Sequence, residues 1–174
     1  MQSMQDSKNP RLFHLLHKTH QALFRASDKM LNERLGISTS QSAVLLYLKH
    51  ADKATMGDVA KAVGLTIASA SGLVDRMEKK QLVGRRRSEA DRRSIQLVLT
   101  DHGRKTLSEA EPLTKAANSH LLKKIGNAKE IEIFTRACTA IIEASEKPLA
   151  EPEAGLTKSI DQHILETRSE RNFK

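Results

Sequence analysis

Nine residues, RRRSEADRR at 85–93, hold five arginines and two carboxylates, with no hydrophobic residue larger than Ala90. A guanidinium presents its donors in a planar fork that fits phosphate and carboxylate oxygens. A stretch this charged is too costly to bury and must project into solvent, where its sign suits a polyanion. A second group, His14, His17 and His20, recurs at steps of three. Imidazoles so placed could hold a metal or rim an anion pocket, with Arg25 and Tyr47 as neighbours. No Asp, Glu or Cys stands nearby at a spacing that completes four ligands, so solvent-facing or interface histidines are the simpler reading and no metal is expected. Cys138 could be a redox switch, but its place within an apolar stripe suits a buried, inert thiol better. There is no P-loop, GxGxxG, GxSxG, HExxH or cysteine pair. Neither catalysis nor a cofactor is expected.

The chain as a whole agrees with a polyanionic partner. It has 174 residues, a net charge of +8 and an isoelectric point near 9.7. Residues 148–174 carry four Lys/Arg against five Asp/Glu, so the first 147 hold +9 and the excess sits in the body of the protein. Nucleic acid comes first among partners of such a body and anionic lipid second. Aromatics make up only 3% of the residues, with no Trp, which favours stacked helices with a Leu, Ile, Val and Ala core. No apolar run reaches the length of a membrane span. The opening MQSMQDSKNPR has no signal-type apolar region, and the single cysteine cannot form an internal disulfide, so a cytoplasmic location is the default expectation.

The elements that must hold the arginine run in place can be read from caps and periods. Asn9-Pro10 is expected to open a long helix with a stripe of Leu12, Leu15, Leu16, Leu23, Met30 and Leu31, stopped by Gly36. Ser38-x-x-Gln41 is a capping box for a second helix, Thr55-x-x-Asp58 opens a short third ended by Gly64, and Thr66 caps a fourth from Ile67 to about Lys80. The period then changes. SIQLVLT alternates Ile95, Leu97 and Leu99 with Ser94, Gln96 and Val98, which predicts a strand, and LVGRRR supplies a partner. Thr100-Asp101 caps a fifth helix to about Lys124, with Leu107, Leu113, Ala117 and Leu121 on one side. A sixth covers about 129–147, with Ile131, Phe134, Cys138, Ile141 and Ile142 in a stripe. After Pro148 the chain reads as a linker, and Leu156, Ile160 and Ile164 then make a short amphipathic stretch.

Three helices followed by a hairpin describe a winged helix-turn-helix, in a fold that is mostly α with a small β-hairpin wing. Its third core helix, Ile67 to Lys80, is then the one that enters a major groove, and the arginine run is a wing beside it. Narrow minor grooves concentrate negative potential and favour inserted arginine. A merely solvated loop is the alternative for an isolated charge run; its position directly after a helix-turn-helix favours the wing.

Residues 56–104, MGDVAKAVGLTIASASGLVDRMEKKQLVGRRRSEADRRSIQLVLTDHGR, resemble the core of the MarR family of bacterial transcription regulators. The features that carry the resemblance are LVDRMEKKQLV, the wing ending Asp91-Arg92-Arg93-Ser94, and LTDHGR opening the next helix. The layout of six helices extends it over 10–147. The resemblance implies a homodimer interlocked through the first, fifth and sixth helices, bound to double-stranded DNA at an inverted repeat. By that resemblance Arg93 enters the minor groove and Asp91 holds it by a charge-assisted pair. Arg85, Arg86, Arg87 and Arg92 are expected phosphate contacts. Thr66, Ser69 and Ser71 stand where hydroxyls reach bases or phosphates. Arg76 has two open roles, phosphate contact or pairing with Asp75 or Glu78.

The resemblance also implies a small aromatic or phenolic ligand bound between the dimer helices and the DNA-binding lobe, for which His17, His20, Arg25 and Tyr47 are the candidates. Ile67 and Gly72 stand where family members often carry long polar side chains. Direct base readout is therefore expected to be modest, with thymine-methyl contacts, the wing and DNA shape supplying more of it. Gln81 replaces the glycine that usually ends the fourth helix, so a left-handed cap is not expected there. The division expected is 10–36 and 100–147 for dimerisation, 37–99 for DNA binding and 148–174 as an extension. The function expected is a sequence-specific regulator, most simply a repressor. Its alternatives are an architectural DNA binder without a ligand, and a winged-helix module that binds protein.

Overall fold

The computed structural model describes residues 11–51, 53–87 and 95–145. Six helices and one hairpin follow in chain order: α1 Leu12–Leu35, α2 Thr39–His50, α3 Met56–Ala62, α4 Ile67–Lys79, β1 Val83–Arg87, β2 Ile95–Leu99, α5 Asp101–Ile125 and α6 Ala128–Ser145. The fold is the mostly helical winged helix-turn-helix that the order of caps and strands implied. The chain divides into two compact units, Met1–His120 and Leu121–Lys174, the boundary falling within α5.

Local chemistry accounts for most of the helix ends. Ser38 Oγ accepts from the Gln41 amide at 3.2 Å while Gln41 Oε1 accepts from the Ser38 amide at 3.0 Å, a reciprocal cap for α2. Thr55 and Asp58 repeat the device at α3. Both the backbone amide and the hydroxyl of Thr55 donate to the Asp58 carboxylate, and with Lys61 nearby they hold its pKa below the ordinary carboxylate range. Helix α1 begins at Leu12 with Arg11 as its cap residue and no side-chain cap, later than an Asn9-Pro10 start would give; Asn9 and Pro10 lie outside the described residues. Gly36 ends it at φ +64°, a left-handed conformation open to glycine at little cost.

The core of the first unit is aliphatic. Leu31, Ile37, Val44, Leu45, Val59, Val74, Met77 and Leu82 are fully enclosed, and Leu97, Leu99 and Leu107 close the cluster from the wing and from α5. The hairpin is antiparallel, with Val83 opposite Leu99, Arg85 opposite Leu97 and Arg87 opposite Ile95. A single bridge from Leu97 to Ala54 ties it to the α2–α3 connection, the Leu97 amide donating to the Ala54 carbonyl at 2.8 Å. The alternation expected in β2 holds for Leu97 and Leu99 only. Ile95 is 53% exposed, because the hairpin runs past the edge of the core, and Gln96 is buried.

The junction of α4 and β1 departs from expectation. Gln81 is left-handed, at φ +56°, despite its side chain. Its amide donates to the Glu78 carbonyl, and the Leu82 amide reaches back to the Met77 carbonyl, which completes a Schellman end for α4. The compensation is tertiary: this turn buries Leu82 against Met77, and the Thr100 hydroxyl donates to the Gln81 carbonyl at 2.5 Å. Gly103, in the first turn of α5, lies against the same segment, and a Cβ there would sit 1.9 Å from the Leu82 carbonyl oxygen. The wing's exit is thereby pressed onto the end of α4, and only glycine allows that approach.

Candidate nucleic-acid interface

Helix α4 buries Ala70, Leu73, Val74 and Met77 and turns Ala68, Gly72, Asp75 and Lys79 the other way, with Ile67, Ser69, Ser71 and Arg76 on the flanks. Its first turn is closed by hydroxyls. Thr66 Oγ1 accepts from the Ser69 amide at 3.2 Å and donates to Ser69 Oγ at 3.0 Å. Thr66 and Ser69 are exposed and Ser71 is half-buried. The Thr66 hydroxyl is thus engaged within the helix, while Ser69 keeps its own proton to donate. Ile67 is 64% exposed at the head of the helix.

The arginines of β1 separate into two kinds. Arg85 reaches α4, with Nη2 2.6 Å from Asp75 Oδ1 and Nη1 3.3 Å from Glu78 Oε2. An exposed pair is worth only about 0–1 kcal/mol, but a guanidinium bridging two carboxylates also fixes an orientation, here of the strand against the helix. Arg86 and Arg87 are exposed and, among the described residues, have no ion-pair partner. They are the free cations of the strand. Asp91, Arg92 and Arg93 lie outside the described residues.

Of the two open roles for Arg76, pairing with Asp75 or Glu78 is not formed among the described residues, since both carboxylates are taken by Arg85. The Arg76 guanidinium lies beside Gly72, where an added Cβ would be 3.6 Å from Nη1. With Lys79 and Lys80 it lines a cleft of about 530 Å³ whose other wall is Asn32, Ser38 and Gln41, from the end of α1 and the start of α2. Lys80 Nζ donates to the Gly36 carbonyl at 2.5 Å. Lys79 and Lys80 were not singled out from the sequence, though their spacing from Arg76 on one helix is a readable signal.

The candidate ligand residues stand on two elements, α1 and α2. His17 and His20 stand on the exposed half of α1, where His17 Nε2 and Gln21 Nε2 hydrogen-bond at 3.0 Å and His20 lies 4.3 Å from the Phe24 ring. His14 and Arg25 are exposed there too, whereas Tyr47 is half-buried against the core. No hydrogen bond or ion pair among the described residues joins Tyr47 to the others. The cleft between α1, α2 and α5, about 220 Å³, is lined instead by Ser27, Leu31, Thr39, Ser42, Leu46 and Glu111 among others. Cys138 is half-buried on α6. Among the described residues no three His, Cys, Asp or Glu gather to hold a metal, and no helix is long and apolar enough to cross a membrane.

Residues 35–94 match the MarR family. A transcriptional regulator of Bacillus subtilis, YdgJ, is 30% identical over 114 residues, covering 66% of this chain and 59% of that protein. The HTH-type transcriptional repressor MdtR of the same organism is 34% identical over 86 residues, 48% of this chain and 56% of that protein. The chain spans about half the length of the curated relatives it matches. Among solved structures, MepR of S. aureus in complex with DNA superposes with a TM-score of 0.73 at 22% identity, over 78% of this chain and 99% of that one. MarR of E. coli complexed with operator DNA gives 0.69 at 22%, over 75% and 92%. The matched segment holds the helix-turn-helix, β1 and the residues leading into β2, and over it the chain is similar to the MarR family.

Proposed function

We propose that this protein is a transcription regulator of the bacterial cytoplasm that binds double-stranded DNA as a homodimer at an inverted repeat and acts as a repressor. The observation that carries the reading is the lobe in which the outward face of α4 and the unpaired Arg86 and Arg87 of β1 are locked together through Arg85. A helix with a small, polar outer face and a cationic strand beside it matches what a major groove and its flanking phosphates require. MdtR, named a repressor, and the DNA complexes of MepR and MarR support the same direction.

In this reading residues 37–99 bind DNA and residues 10–36 and 100–147 join the two copies; 148–174 lies beyond both, and outside the described residues. Thr66, Ser69 and Ser71 face the groove, Arg76, Arg86, Arg87 and Arg92 meet phosphates, and Arg93, positioned by Asp91, enters the minor groove. Arg85 acts chiefly by holding strand to helix, its charge being met by Asp75 and Glu78. Exposed apolar side chains on α1 (Leu12, Phe13, Leu15, Leu23) and on α6 (Ile133, Phe134, Ile142) support pairing of two copies. A small aromatic or phenolic acid would regulate the protein only by binding the DNA-incompetent arrangement more tightly.

The test is a gel-shift titration of wild type and Arg93→Ala on an operator and on scrambled duplex at two salt concentrations. Loss of about 1–3 kcal/mol for the variant on operator is expected. Equal affinity for both duplexes, falling together with salt, would favour the architectural alternative.

A further inference from the structure

Helix α4 commits its large apolar side chains to the core, with one exception. Ile67, its first residue, is 64% exposed, although Leu73, Val74 and Met77 on the same helix are 5% or less. It is not part of the buried core among the described residues, and beside it the Thr66 hydroxyl is engaged with Ser69. Ala68 and Gly72 follow on the outward face, so no bulky side chain beyond Ile67 stands off the first two turns. Arg76, which could reach past them, lies back beside Gly72.

An apolar side chain exposed at the head of a groove-entering helix can read one feature of DNA. In the major groove the C5-methyl of thymine is the apolar group on a base edge, and it distinguishes T from C at the same position. We infer that Ile67 is a specificity-determining residue that packs against a thymine methyl in each half-site, an assignment that rests on the DNA-binding reading above. The small outward residues Ala68 and Gly72 let the helix backbone approach closely enough for the contact. The selectivity of this helix then comes from a methyl group more than from bidentate hydrogen bonds, which its sequence lacks.

The experiment replaces each thymine of the half-site enriched from random duplex DNA by deoxyuridine, which removes the methyl and leaves every hydrogen-bonding group in place. Wild type should lose about fourfold in affinity per half-site at one position, the value of one apolar carbon group withdrawn from water. Ile67→Ala should bind the thymine operator more weakly and be indifferent to uracil at that position, while Ile67→Val should restore the discrimination. All three proteins should keep the same melting temperature, since the side chain is exposed. Wild type that ignores uracil at every position overturns the inference and leaves the regulator intact, as does a uracil penalty that persists in Ile67→Ala. Enrichment of no sequence at all overturns the regulator reading and this inference together.

Discussion

Helices α4 and α6 carry apolar residues at similar helical spacings and treat them in opposite ways. In α4, four residues are buried and the outer surface is small, polar or charged. In α6, 18 residues long, none is buried, and Ile133, Phe134 and Ile142 stand 48%, 49% and 64% exposed. The first helix is finished within one chain and keeps a free face that suits a polar partner. The second has apolar side chains that the described residues leave exposed, which suits another copy of the same protein. The contrast separates a surface completed within the described fold from one that it leaves open.

The contrast is broken most strongly at α6. Phe134→Glu places a carboxylate where the account expects an apolar contact, at a cost of about 3 kcal/mol or more over two copies. Sedimentation should then show monomer at concentrations where wild type is dimeric; an unchanged dimer would move the interface elsewhere. On the α4 side the weak point is the close approach of α5. Gly103→Ala should destabilise the folded chain by at least about 1–3 kcal/mol, because its methyl overlaps the Leu82 carbonyl and the segment must shift. Denaturant unfolding reads this directly, and a neutral result would show that the junction yields freely. Gln81→Gly works in the other direction and is the smallest effect. Removing the side chain from a left-handed position should raise stability by about 0.5–1 kcal/mol, offset in part by the greater freedom of the unfolded chain.

These residues also mark where the sequence stops being legible. The caps at Ser38, Thr55 and Thr66 were readable because donor and acceptor lie three residues apart, and glycine at 36 and 64 announced its own turns. The left-handed Gln81 was not, since its causes are the burial of Leu82 and the arrival of Thr100, 19 residues on. The arginine run showed its charge but not its division of labour. Arg85, Arg86 and Arg87 are identical as letters, and only the register of the hairpin places the first against Asp75 and Glu78. The grouping of His17, His20 and Arg25 on α1 with Tyr47 on α2 rested on the family resemblance, and the place of Tyr47, half-buried against the core, follows from the apolar stripe that α2 buries.

Selection of bound sequences from random duplex DNA reads the proposed arrangement itself, because a pair of α4 helices related by two-fold symmetry would leave a geometric signature. An inverted repeat is expected, with half-site centres one helical turn apart, about 10–10.5 base pairs. Recovery of sequences with no symmetry, or of none above background at physiological salt, would contradict it.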